Sequence, residues 1–214
     1  MLHAIVRRPI IPSETIPILV LLHGLGADEH DLMGLASELD GRFLVVTLRA
    51  PLEYGPTGYA WFEITWEADG VHVVPEQVLA SRDLLLETLK ELPKALDLEG
   101  SPLYLGGFSQ GAMMSLGSAL AEPNLFSGVI LMSGRWMPEL LPAEPNEDLK
   151  NVPFLVQHGT VDQVLPVAGS RAIRDFLEGI GCDVNYAEYP MAHEINVKSL
   201  LNIRDWLVER LGGI

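Results

Sequence analysis

The sequence predicts an α/β protein built on a mostly parallel central sheet with helices on both faces. Three observations lead there. Short apolar runs of strand length alternate with stretches whose apolar residues recur at helical spacing. No linker, internal repeat or low-complexity segment interrupts the alternation, so residues 1–214 are expected to form one domain. Finally, 214 residues that are 48% hydrophobic and 20% charged match an ordinary soluble domain. A chain of that length buries about 70% of the surface it exposes when unfolded.

In chain order, Pro17–His23 (PILVLLH) reads as a buried strand, followed by the turn Gly24-Leu25-Gly26-Ala27-Asp28. Asp28 is placed to cap a helix over Glu29–Leu39, where Leu32, Leu35, Ala36 and Leu39 share a stripe. Phe43–Leu48 (FLVVTL) is a second buried strand. Residues 49–70 form a long Gly- and Pro-bearing loop carrying Tyr54, Tyr59, Trp61, Phe62 and Trp66; so long a loop in a compact domain is usually functional or mobile. From Pro75 to about Leu92 the apolar stripe Val78, Leu85, Leu89 and Leu92 predicts a helix. Leu103–Phe108 is a strand, Gln110–Ala121 a helix and Val129–Ser133 a strand, before a Pro-rich loop over Arg135–Asn151. The rest alternates again, as strand Pro153–His158, helix Val167–Ile180, strand Val184–Tyr189 and helix Glu194–Leu211. In such sheets the chemistry sits at the carboxyl ends of the strands.

Charge and composition exclude several classes. Fourteen basic against twenty-nine acidic residues leave a formal net charge of −15. That disfavours nucleic acid, whose binders neutralise phosphates, and disfavours docking on anionic lipid. The longest apolar run, Ile18–Leu22, is far short of the ~18 residues of a membrane span, so no stable membrane association is expected. The N-terminal MLHAIVRR lacks an apolar core and cleavage site, and the lone Cys182 offers no internal disulfide, so a reducing cytoplasm is the expected compartment. No Cys/His ladder offers a zinc site; His193-Glu194 opens like a metalloprotease motif, but Val197 stands where the second histidine belongs. No metal is expected.

Gly107-Phe108-Ser109-Gln110-Gly111 fits G-x-S-x-G, with a strand running into it and a helix leaving it. That context is the one a nucleophile elbow requires, and it raises the Ser109 hydroxyl above the sheet at a helix N-terminus. A hydroxyl needs a base to take its proton. With the order Ser, acid, His, the candidates are His158 and His193. His193 follows the strand Val184–Tyr189 and is the stronger base candidate, whereas His158, next to Gly159, shapes the turn that carries the acid. Among Asp148, Asp162, Asp175 and Asp183, only Asp162 follows a strand at the right edge to orient that histidine. The amides of Gln110, after the nucleophile, and of Leu25, in the turn after an early strand, are the expected oxyanion donors.

Four segments now carry a resemblance: Leu22-His23-Gly24-Leu25-Gly26; Arg49-Ala50-Pro51 with Trp61-Phe62-Glu63-Ile64; Gly107-Phe108-Ser109-Gln110-Gly111; and His158-Gly159 with Asp162 and Pro166. In this order they resemble the phospholipase/carboxylesterase group of α/β-hydrolases, which includes the acyl-protein thioesterases. The resemblance implies an α/β-hydrolase fold with little or no lid domain, acting without a cofactor on carboxylic esters or thioesters. It implies Ser109, Asp162 and His193 as the triad and the Leu25 and Gln110 amides as the oxyanion donors. Ala112 stands where the family often has a second glycine, and the segment between Arg49 and Trp61 is short and lacks an Asn-Gly-Gly run. The individual stretch Ile64–Gly70 is expected to frame the acyl pocket.

The expected activity is therefore that of a serine carboxylesterase on small-molecule esters of short to medium acyl chains. The open alternatives are an acyl-protein thioesterase or lysophospholipase, a dienelactone-hydrolase-like enzyme, a peptidase, and a binding module without catalysis. Trp61, Phe62 and Leu165 are candidates for the apolar wall of the cleft, and Arg135-Trp136 for its rim. A homodimer stays open, because no dimerisation patch is visible in sequence. The acidic surface is expected to favour neutral over negatively charged esters.

Overall fold

A computed structural model of the protein describes residues 1–67, 70–141 and 146–212. The chain begins with an edge strand, β1 (Ala4–Arg7), and enters the core with β2 (Ile18–Leu22) and β3 (Leu44–Leu48). Two small hairpins follow, β4 (Leu52–Tyr54) with β5 (Gly58–Ala60), and β6 (Ile64–Glu67) with β7 (Gly70–Val73). Then come α1 (Pro75–Ala95), β8 (Leu103–Phe108), α2 (Gln110–Ala121), β9 (Gly128–Met132) and β10 (Phe154–Gly159). Helix α3 (Ala168–Gly179), strand β11 (Val184–Tyr189) and helix α4 (Val197–Arg210) complete the described strands and α-helices.

Seven strands form the central sheet in the order β1-β3-β2-β8-β9-β10-β11. Every pairing is parallel except β1 with β3. From β2 the chain moves to one side to make β3, then returns to the other side to make β8. The loops leaving β2 and β8 therefore diverge, and this reversal opens a crevice at their carboxyl ends.

Alternation along the strands feeds two cores. Ile18, Val20 and Leu22 face a layer containing Leu85 and Leu89 of α1, Met114 and Leu116 of α2, and Ile173 and Leu177 of α3. Leu19 and Leu21 face the opposite layer, with Ile203, Trp206 and Leu207 of α4. Each of these large side chains contributes about 1.5–3 kcal/mol by leaving water. The fold is an α/β-hydrolase sheet with helices on both faces and, among the described residues, no separate lid insertion. No described helix is long and apolar enough to cross a membrane.

Three local readings change. The helix expected over residues 29–39 is a 3₁₀ helix, Leu32–Glu38, with no side-chain cap and Gly34 in its interior. Its Leu32 and Ala36 still pack inward, so the apolar stripe decided burial without sustaining an α-helix. Asp28 closes a turn by accepting from the His30 amide at 2.8 Å instead of capping the helix. The long loop expected over residues 49–70 is taken up by the two hairpins, which run on to Val73, residues 68–69 lying outside the described residues. Strand β1 carries no strong pattern in sequence, being four partly exposed residues held only by β3.

Candidate active site

Strand β8 delivers Phe108 and Ser109 into a turn too tight for side chains on its flanks. A Cβ added to Gly107 would lie 2.2 Å from the Gly111 carbonyl group, and one added to Gly111 would lie 2.1 Å from the Leu22 oxygen. Ser109 pays for this geometry with φ +55° and ψ −116°, a region that costs a non-glycine residue about 1–3 kcal/mol. Its amide donates to the Met132 oxygen at 2.8 Å, which locks the elbow to β9. The hydroxyl then stands at the start of α2.

The carboxyl ends of β10 and β11 bring the other two groups to it. His193 Nε2 lies 2.9 Å from Ser109 Oγ, and its Nδ1 lies 2.7 Å from Asp162 Oδ2. A carboxylate only accepts, so Nδ1 carries the proton and Nε2 is free to accept the serine hydroxyl. The ring packs against Phe108, centroids 4.8 Å apart. The loop holding His193 is pressed onto the end of β10, where a Cβ on Gly159 would sit 2.2 Å from the Met191 oxygen. At its far side a reciprocal cap starts α4: Asn196 Oδ1 accepts from the Ser199 amide and Ser199 Oγ accepts from the Asn196 amide.

Asp162 is buried, and its other oxygen accepts the Val164 and Leu165 amides, both at 2.8 Å. Burial alone would raise its pKa; the His193 hydrogen bond and these amides outweigh it and hold the carboxyl below its ordinary range. His158, fully buried, supports the same loop. Its Nε2 donates to the Leu165 oxygen at 2.7 Å and lies 3.3 Å from Asp162 Oδ2. Burial pushes its imidazole below the ordinary 6.5.

Across the crevice, the turn after β2 presents the Leu25 amide. Among the described residues neither that amide nor the Gln110 amide has a hydrogen-bond partner. The turn is held from behind by β5: Gly26 donates to the Tyr59 oxygen and Tyr59 to the Ala27 oxygen, both at 2.9 Å. His23 is neutral there, pushed down by burial, with Nδ1 donating to the Gly24 oxygen and Nε2 accepting the Ala50 amide. Arg49 grips Glu29 with two hydrogen bonds and lowers that carboxyl to about 2. The Gln110 side chain accepts the Trp61 amide at 2.8 Å and donates to the Phe62 oxygen at 2.7 Å, tying α2 to the hairpin segment.

A cleft of about 200 Å³ opens over Ser109 and His193. Leu25 and Leu165 line it, as do Ile64, Met113 and Val164, and Arg135 stands in its wall. Trp61 and Phe62 do not line it: both are completely buried, with Trp61 Nε1 donating to the His23 oxygen at 3.0 Å. Trp61 supports the turn after β2 through that bond and a ring contact with His23, centroids 5.9 Å apart, and Ile64, two residues beyond Phe62, lines the cleft. Trp136 packs on Phe176 of α3, centroids 4.7 Å apart. Met113 reads as core from its place in the elbow helix, and it serves both roles, 2% exposed yet in the cleft wall.

Among the described residues one side-chain group has the spacing to hold a cation, Asp28, Glu29 and His30, with ligand atoms within 4.8 Å of one another. Arg49 already neutralises Glu29, and none of the three lines the cleft. The cleft lining brings together the Ser109 hydroxyl, the His193 imidazole backed by the Asp162 carboxylate, and the residues Leu25 and Gln110.

Residues 4–210 match the Phospholipase/Carboxylesterase family. The chain is 28% identical over 172 residues to the probable carboxylesterase SOBER1-like of Arabidopsis thaliana, covering 74% of this chain and 62% of that protein. A second Arabidopsis relative, carboxylesterase SOBER1, is matched over 60% of its length, so the chain spans about three-fifths of both. It is 26% identical over 223 residues to acyl-protein thioesterase 1 of Yarrowia lipolytica, covering 96% of each. Among solved structures, the crystal structure of esterase PE8 is similar with a TM-score of 0.82 at 30% identity, over 97% of this chain and 98% of that one.

Proposed function

The chain belongs to the Phospholipase/Carboxylesterase family, and from that premise we propose that it is a serine hydrolase cleaving carboxylic esters of short acyl chains through Ser109, His193 and Asp162. The observation that carries this reading is the unbroken chain from Ser109 Oγ to His193 Nε2 at 2.9 Å and from His193 Nδ1 to Asp162 at 2.7 Å, beside two unengaged amides.

Ser109 Oγ attacks the ester carbonyl carbon while His193 Nε2 takes the hydroxyl proton. The carbonyl oxygen becomes an oxyanion held by the Leu25 and Gln110 amides, each such donor accounting for about 3–4 kcal/mol of the barrier. As the C–O bond to the alcohol breaks, His193 returns the proton to the leaving oxygen and an acyl-Ser109 remains. Water then adds to the acyl carbon, again giving its proton to His193, and collapse releases the carboxylic acid and restores the Ser109 hydroxyl. Asp162 keeps the imidazole in the right tautomer and offsets its charge when protonated.

The cleft volume supports small substrates, since about 200 Å³ falls below the ~300–1,000 Å³ of drug-sized pockets. Thioesters are the second reading, favoured by the likeness to an acyl-protein thioesterase along nearly the whole chain. Ser109→Ala tests the common core of both. It should lower hydrolysis of short 4-nitrophenyl esters by at least about 10⁴-fold and abolish labelling by an organophosphonate, with the melting temperature nearly unchanged. Labelling that survives the substitution would overturn the assignment.

A further inference from the structure

Arg135 occupies an unusual position for a cation in an acidic protein. Among the described residues lining the cleft, Arg135 is the one with a permanent charge, and no carboxylate is among them. Asp162 lies behind His193, its oxygens spent on His193, Val164 and Leu165. Among the described residues Arg135 has no ion pair and no side-chain hydrogen bond, and it is half-buried. Other arginines contrast sharply: Arg42, Arg49, Arg171 and Arg210 each hold a carboxylate at 2.8 Å or closer. With fourteen basic residues against twenty-nine acidic ones, an arginine unpaired among the described residues in this cleft wall does not reflect a shortage of carboxylates.

Its backbone is held in place from both sides. Ser133, at φ +51°, turns the chain out of β9, and its amide donates to the Gln157 oxygen at 2.9 Å. Gly169, at the start of α3, packs so closely that an added Cβ would lie 3.0 Å from Arg135 Cβ. Trp136, the next residue, is anchored on Phe176. Arg135 therefore joins the cleft wall from a backbone held on both sides, and a guanidinium can receive two oxygens of one anion.

We propose that Arg135 is a specificity-determining residue that pairs with a carboxylate carried by the ester substrate, so that the preferred substrates are small monoesters bearing a free acid group. This rests on the proposed reaction at Ser109 and names its substrate class. It reverses what net charge alone predicts. Salt screens exposed charges over ~8 Å at physiological ionic strength, whereas Arg135 is half-buried in the wall of the cleft that also holds Ser109. Local charge decides the preference there.

The test compares kcat/KM within two matched pairs. On the acyl side the pair is mono-(4-nitrophenyl) glutarate and 4-nitrophenyl pentanoate; on the leaving-group side it is 4-acetoxybenzoate and its methyl ester. In one pair the wild type should hydrolyse the anionic member at least as well as the neutral one. Arg135→Gln should lower that anionic-to-neutral ratio about tenfold or more, as expected for a lost charge-assisted hydrogen bond, and Arg135→Lys should lower it less. The pair that responds identifies the limb carrying the acid. A wild type that prefers the neutral member about tenfold or more in both pairs overturns the proposal without any variant. So does an Arg135→Gln ratio within about threefold of wild type in both pairs. Either failure leaves the hydrolase reading standing as long as neutral-ester turnover still depends on Ser109.

Discussion

The two ends of the central sheet each carry a hollow, and they differ in the opposite sense from what size would suggest. At the amino ends of β2, β3 and β8 a cavity of about 670 Å³ lies between Pro12, Pro17, Pro102 and Tyr104. Its two arginines are both neutralised, Arg42 by Asp40 and Arg210 by Asp183. At the carboxyl ends the cleft is less than a third as large, yet it holds a strained serine, a histidine–carboxylate pair and, without partners among the described residues, two amides and an arginine. Volume records where packing is loose. Chemistry requires groups left unsatisfied and aimed at one point, and the fold tolerates such groups only at the end where strands turn into loops and helix N-termini.

The largest test of that contrast sets the two histidines of the carboxyl end against each other. His193→Ala should reduce kcat by about 10⁴-fold or more, because it removes the base itself. His158→Ala removes a buried donor to the Leu165 carbonyl and should instead cost about 1–3 kcal/mol of stability, with a much smaller loss of kcat. Steady-state kinetics with urea unfolding separate the two effects, and the reverse ranking would exchange their roles.

Acid should act next, and through the same end. His23 and His158 sit at the carboxyl ends of β2 and β10, and burial lowers both below the ordinary 6.5. Below about pH 6.5 the unfolded chain takes up protons that the folded chain refuses. Their contribution is therefore complete above that pH and is lost as pH falls toward their lower folded values. A second loss should follow as pH drops from 4.5 toward 2, where Glu29, held down chiefly by its Arg49 hydrogen bonds, finally protonates. Melting temperature measured from pH 8 to 3 should show both, and His158→Gln should flatten the first. A melting temperature independent of pH between 7 and 5 would contradict the buried neutral histidines.

The smallest effect belongs to the amino end. Arg210→Gln breaks an ion pair whose Asp183 side chain is 64% exposed, so stability should change by less than about 1 kcal/mol and kcat/KM by less than about twofold. A loss of activity comparable to that of the Arg135 variant would erase the distinction between the two hollows.

Much of the site was legible in the chain because its constraints are local. G-x-S-x-G between an apolar run and a helical stripe marks a turn whose sterics admit only glycine on either side, and the structure shows the contacts that enforce this at Gly107 and Gly111. The order of strands and the rule of carboxyl ends were enough to single out Asp162 and His193, which the structure brings within hydrogen-bond reach of each other. Trp61 and Phe62 were less legible. Aromatic residues in a long loop look alike whether they face a ligand or a core, and their burial depends on Gln110 and Ser81 hydrogen-bonding their backbone from elsewhere in the chain. The hairpins of residues 49–70 and strand β1 escaped for the same reason, since each is too short to have a period of its own.

By itself, the sequence determined the inner strands and the long helices, the sharp turn at Ser109, and which residue types stand at the carboxyl edge, because periodicity and steric exclusion act within a few residues. Only the tertiary structure decided which side of the sheet β8 returns to, that β5 clamps the turn bearing Leu25, and that Arg135 lines the cleft over Ser109 without a partner among the described residues. Those outcomes depend on contacts between segments far apart in the chain. A net charge of −15 describes the whole surface, but the potential felt by a substrate is set by the nearest unscreened group, and only folding places that group.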